Sequence, residues 1–317
     1  MTAETIEPPR PRPGPEGVCL ASAVVGTGVW GIGLFLVSWS SWAEPLVVLG
    51  ALVIYPLALF VTAPADRYPW PWRAAVWMQF PAAVLLLPSF ARNPGPIAGS
   101  LALPWLLVTV LVALFGLVRL LSHRRGPVEE WAIDAGLLYL AVGGGWLILS
   151  RLGARPLDFG EPIILLTAAH FHYAGLALPI LTGLASRELG GPVSRACSLA
   201  VIVGVPLVAL GITVNHLEPS LALVEGLSAW FLGFVCLSVA WLQVRLALRQ
   251  SVALVRLLFL VSACSLAAGM VLAIVYAAGM YWQTYWLDVP TMIRTHAVIN
   301  AVGFALAGLL GWVLSKR

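Results

Sequence analysis

The 317-residue chain is 60% hydrophobic and only 10% charged, with a mean hydropathy of +0.93. Soluble domains carry about 25% charged residues, so this composition excludes a water-soluble enzyme or binding module and points to an all-α polytopic membrane protein. The net charge of +4 does not imply a nucleic-acid partner, because the basic residues follow a topological pattern and form no basic patch with interleaved aromatics.

Residues 1–17 carry the run Glu7-Pro8-Pro9-Arg10-Pro11-Arg12-Pro13 and are expected to be a disordered cytoplasmic tail. Residues 18–315 are expected to form one transmembrane bundle. A bilayer core about 30 Å thick needs about 20 apolar residues per helix. On that template ten spans fall at 18–40, 44–63, 72–90, 97–121, 129–149, 162–185, 192–215, 220–248, 253–277 and 290–314. With the N-terminus placed inside, all of the 18 Lys and Arg except Arg92, Arg151, Arg155 and Arg294 fall on inner segments. That split obeys the positive-inside rule. It predicts a multi-pass protein of a cell membrane with both termini cytoplasmic.

Along the chain, Gly26, Gly28, Gly31 and Gly33 of the first span and Gly143-Gly144-Gly145 of the fifth predict close helix approach. His123, in an inner loop, is expected to be a surface residue. Asp134 of the fifth span is expected to partner a polar group or a water, far from the other polar residues. Cys19, Cys197, Cys236 and Cys264 stand singly and read as small buried hydrophobes. Tyr281, Trp282, Tyr285 and Trp286 before the tenth span read as an aromatic belt.

The chemistry concentrates in the second half. His170-Phe171-His172-Tyr173 lies inside an apolar run, where an ionisable side chain costs roughly 2.5–3.5 kcal/mol on insertion scales and has a partner or a purpose. At 1.5 Å per residue, His170 lies roughly 12 Å below the outer end of its span, His296 roughly 9 Å and Glu225 roughly 8 Å. Three distant segments thus deliver His, His and Glu to one level. On an ideal α-helix His170 and His172 face opposite ways, and only a deformation such as a π-bulge would let both reach one metal. Pro179 frees the Gly175 carbonyl and favours such a distortion. His296 and Asn300, at i and i+4, share a face. Arg294 either snorkels outward or pairs with Glu225.

The strings His170-Phe171-His172-Tyr173-Ala174-Gly175 and Arg294-Thr295-His296-Ala297-Val298-Ile299-Asn300-Ala301-Val302-Gly303-Phe304 resemble the two signature stretches of the YndJ-like membrane proteins. The resemblance covers most of the second half and implies a multi-helix bacterial membrane protein. It carries His170, His172, Tyr173, Thr295, His296, Asn300 and Gly303 as pattern positions, and the transporter-like label of that family names no substrate.

Imidazoles with a carboxylate suit Zn, Fe or Cu. The leading expectation is a membrane metalloenzyme that oxidises or isomerises a lipophilic small molecule. Its metal ligands would be His170, His172, His296 and Glu225, and its catalytic residues Tyr173, Asn300 and Arg294. Alternatively, His170 and His296 bind the cofactor as axial ligands of a haem. A second reading is a proton-coupled small-molecule transporter using the same groups as a relay. A third is a structural or accessory membrane protein.

Overall fold

The structure is a computed structural model that describes residues 14–65, 67–123, 126–284 and 286–316. The proline-rich run to Pro13 and Tyr285 of the aromatic belt lie outside them. Among the described residues there is no strand, and ten helices are long and apolar enough to cross a membrane. They are α1 (Pro15–Leu36), α2 (Ala43–Val61), α3 (Trp70–Phe90), α4 (Pro96–Ser122), α5 (Val128–Leu152), α6 (Glu161–Leu189), α7 (Gly191–Leu217), α8 (Pro219–Leu248), α9 (Ala253–Tyr281) and α10 (Val289–Ser315).

Three helix ends, those of α1, α6 and α9, depart by four residues from expectation, and of these only α1 is shorter. It starts with Pro15 in its first turn, where a missing N–H costs nothing. It ends at Leu36, four residues before expected, because Val37 is extended and Ser40 turns back to give its N–H to the Glu44 carboxylate at 2.8 Å. At α10, Asp288 accepts the Thr291 N–H at 2.7 Å. Those hydrogen bonds from Thr291 hold the Asp288 carboxyl below its usual range.

Helix α2 occupies the centre. Its most apolar stretch is 94% buried, against 28% for α1 and α9, and it packs on α1, α3, α6 and α10. The other helices form antiparallel neighbours, most extensively α4 with α5 and α8 with α9. Gly26, Gly33, Gly143 and Gly144 act in packing as expected. Gly26 lets the α2 backbone pass, since a methyl there would overlap the Leu52 carbonyl. Gly144 lies on Thr109, and Gly143 lies on Phe171 and His172. Gly28, Gly31 and Gly145 have open space beside them and support no close approach.

Three helices widen into π turns: α2 at Gly50–Ile54, α6 at Phe171–Ala177, and α10 at Ile293–Ala297 and Ile299–Leu306. In α2 and α6 a proline follows within two residues, Pro56 and Pro179. Proline has no N–H to give the carbonyl four residues back, so the ladder there must rearrange. Helix α10 reaches the same geometry without one. The π segments of α2, α6 and α10 pack against one another, and single π turns are frequent at functional sites.

Away from that junction, at the arginine-rich end of the bundle, lies a network that corrects one expectation. Asp134 is fully buried and takes Arg119 Nε at 2.7 Å on one oxygen and His123 Nε2 at 2.8 Å on the other. Glu130 bridges Arg119 at 3.0 Å and Arg187 at 2.6 Å, joining α4, α5 and α6. His123 is therefore a partner of a buried carboxylate and not a free surface residue. At the opposite end Arg151 is only 3% exposed and gives Nη2–H bonds to the Ser89 and Arg92 carbonyls, closing the end of α3.

Candidate intramembrane histidine site

A half-open cavity of about 170 Å³ lies between α2, α6, α7, α8, α9 and α10, beside the π junction. Its wall is apolar apart from His170, Tyr173, Asn300 and His296, and includes Phe304 and the sulfur-bearing Met270 and Cys236. The His170 and His296 rings meet there, their centroids 6.4 Å apart and their planes inclined at 35°. The matched depths on the sixth and tenth spans thus correspond to a real meeting of side chains.

The hydrogen bonds fix how the two rings present themselves. His170 Nδ1 lies 2.8 Å from the Leu166 carbonyl, one turn back in its own helix, and His296 Nδ1 lies 2.8 Å from the Gly269 carbonyl of α9. A carbonyl only accepts, so each Nδ1 carries the hydrogen and each Nε2 carries a lone pair. Among the described residues neither Nε2 has a partner. The other polar groups on the wall donate to backbone carbonyls. Tyr173 donates its O–H to the Leu46 carbonyl at 2.7 Å, and Asn300 donates from Nδ2 to the His296 carbonyl at 2.8 Å. That bond sets which end of the Asn300 amide is nitrogen, and the remaining oxygen, Oδ1, is buried without a partner.

His172 goes elsewhere. It is 1% exposed, its Nδ1–H bonds the Ala168 carbonyl at 2.7 Å, and its Nε2 accepts the indole N–H of Trp105 at 2.9 Å. The π turn forms where Pro179 predicts it, yet the wider turn leaves His172 on the α4 side. Both its nitrogens are used, so it has no lone pair to offer a metal. Glu225 is also separate: it accepts Asn215 Nδ2 at 2.5 Å, across from α7. Arg294 is exposed and makes no ion pair with Glu225 among the described residues.

The expected shell of His170, His172, His296 and Glu225 is therefore not assembled. Among the described residues no three His, Cys, Asp or Glu side chains gather as metal ligands. A haem plane does not fit either: the cavity is close in size to an engineered one, about 150 Å³, that takes a benzene. What the arrangement offers is two basic nitrogens and an amide oxygen in an apolar chamber.

Two residues that matter here are not singled out by the sequence. Trp105 anchors His172, and its position well inside α4, away from the interfaces where Trp anchors concentrate, is the available signal. Gly269 supplies the carbonyl for His296, and a methyl on it would overlap the Asn300 amide. A glycine in an apolar helix has too many packing explanations for that role to show.

The family model described as YndJ-like protein matches residues 45–304. This chain belongs to the YndJ-like family. The match runs from the start of α2 to the last π turn of α10, so it takes in the central helix as well as the two histidine motifs. "Uncharacterized membrane protein YndJ" of Bacillus subtilis (strain 168) is 31% identical over 217 residues, which is 68% of this chain and 38% of that relative. The YndJ-like chain thus aligns with well under half of the relative's length. No solved structure matches.

Proposed function

We propose that this YndJ-like protein is a membrane enzyme that isomerises a small lipophilic molecule by acid–base chemistry in the His170/His296 cavity. The observation that carries the reading is the pair of imidazoles lining one apolar chamber, each aligned by a backbone carbonyl on Nδ1 and each with an Nε2 that has no protein partner among the described residues. Such a carbonyl fixes the tautomer and orients the ring. One imidazole takes a proton from the substrate at Nε2 and returns it at another position. The proton count closes within the molecule, and no oxidant or reductant is required. A site at this depth suits a substrate that enters sideways from the lipid.

We place the arginine-rich end and both termini in the cytoplasm of a bacterial cell membrane, on the split of basic residues. Metal or redox chemistry is a finer reading. The ligand set available for it is two imidazoles, which favours a low-coordinate ion over a four-ligand centre. A proton-coupled carrier is the second reading. It is favoured by titratable groups at two levels: Glu225 with the histidine pair, and the His123–Asp134–Arg119 network.

The test is solvent exchange. Purified protein in nanodiscs is incubated in deuterated water with a bacterial lipid extract, and the lipophilic fraction is read by mass spectrometry. Deuterium is expected to enter a component of the extract, and His296→Leu should abolish the incorporation. No incorporation with folded wild-type protein removes the enzyme and leaves the carrier, whose proton flux is then measured in proteoliposomes. Elemental analysis and an absorption spectrum of the same preparation test for metal.

A further inference from the structure

The donor and acceptor inventory of the cavity is one-sided. Its acceptors, His170 Nε2, His296 Nε2 and Asn300 Oδ1, have no partner in the protein among the described residues. Its principal donors are already spent on backbone carbonyls: both Nδ1–H groups, the Tyr173 O–H and an Asn300 Nδ2–H. No Asp, Glu, Lys or Arg lines the wall.

Each class of ligand meets this wall differently. An anion finds no cation, and a cation finds no carboxylate, so either would be an unpaired charge in an apolar space. A ketone or ether sets its oxygen against lone pairs and leaves the imidazoles unsatisfied, which costs the full desolvation of each group. An uncharged hydroxyl satisfies an Nε2 and places only hydrocarbon against the rest of the wall. The volume, about 170 Å³, holds one six-membered ring.

We infer that the cavity takes a small uncharged phenol or ring-bearing alcohol, its hydroxyl donated to an Nε2 of the His170/His296 pair. This deepens the functional reading above by naming the chemical class that the site selects, and it rests on that reading of the cavity as a binding site. Selection works by the penalty for leaving acceptors unpaired at a depth of the bilayer that water does not reach, so a ligand of the same shape without the donor is rejected.

The test uses an isosteric pair, 4-fluorophenol and 4-fluorotoluene, at equal concentrations in the lipid phase of nanodiscs holding the full chain. Binding is followed by fluorine NMR. The phenol is expected to bind at least about tenfold tighter. The double variant His170→Leu/His296→Leu should lower it to the level of the toluene. Ala273→Phe, which fills the cavity while keeping both histidines in the sequence, should weaken both probes and so locate the signal even if the double variant folds poorly. Equal binding of the two probes would overturn the donor requirement while leaving an apolar binding cavity. Binding of neither, with wild-type protein folded, would overturn the cavity as a binding site and the acid–base reading with it.

Discussion

Two histidines one residue apart should respond to substitution in opposite ways, and the Trp105–His172 hydrogen bond sets the size of the difference. Trp105 is 0% and His172 1% exposed, so no water can replace a lost partner. Trp105→Phe keeps an aromatic ring but leaves His172 Nε2 as a buried acceptor with no donor, at a cost of about 1–3 kcal/mol. His172→Leu strands the indole N–H in the same way. Interhelical hydrogen bonds in bilayers couple by about 0.6 kcal/mol on average and up to about 1.7. A double-mutant cycle on the pair should therefore give about 1 kcal/mol, with each single variant near 2. His170→Leu removes a ring whose Nδ1–H bonds a carbonyl of its own helix and whose Nε2 has no partner, so its effect should stay within about 0.5 kcal/mol. The assay is reversible unfolding in bicelles, by steric trapping or added SDS. A cycle of zero, or a His170→Leu cost equal to that of His172→Leu, would refute the division of the motif into one anchored and one presented imidazole.

Gly269→Ala should push the Asn300 amide aside, since a methyl there overlaps it. The expected outcome is altered probe binding in fluorine NMR with a melting temperature that falls only modestly. Asp134→Ala removes the partner of His123 and one of two partners of Arg119, which keeps Glu130, and should cost about 1.5–3 kcal/mol in the same unfolding assay. His123→Ala should cost measurably less, because Arg119 still pairs with the carboxylate. Reporter fusions after residue 123 and after the C-terminus should mark one side of the membrane, and fusions near 155 and 286 the other. One inverted reporter would undo the orientation and the depths reasoned from it.

Fold and site were legible to different degrees, for a physical reason. The ten spans follow from hydrophobic length alone, and most boundaries fall within a few residues because loops here begin where apolar runs end. Depth is also legible, since rise per residue converts sequence position into height, and that brought His170 and His296 to one level. Height says nothing of direction. Glu225 shares the level but faces Asn215 of α7, and His172 shares the motif but faces Trp105 of α4. Which helices are neighbours is a property of the packed bundle, and no single-chain pattern encodes it. His123 is misjudged for the same reason: it looks like loop chemistry until α5 brings Asp134 beneath it.

The π turn in α6 also sets how the protein responds to a change in length. A π turn holds about one residue more than an α turn, so removing one residue between Phe171 and Ala177 would let the helix rewind as α and take up the deletion locally. The half-helix Leu178–Leu189 would keep its register, with Ser186 on the Ser194 carbonyl and Gly183 on the Glu129 backbone. The same deletion one turn later, in regular α-helix, would turn the remainder by about 100° and shift it by about 1.5 Å. A frame-preserving single-codon deletion is therefore absorbed inside the π stretch and disruptive just beyond it.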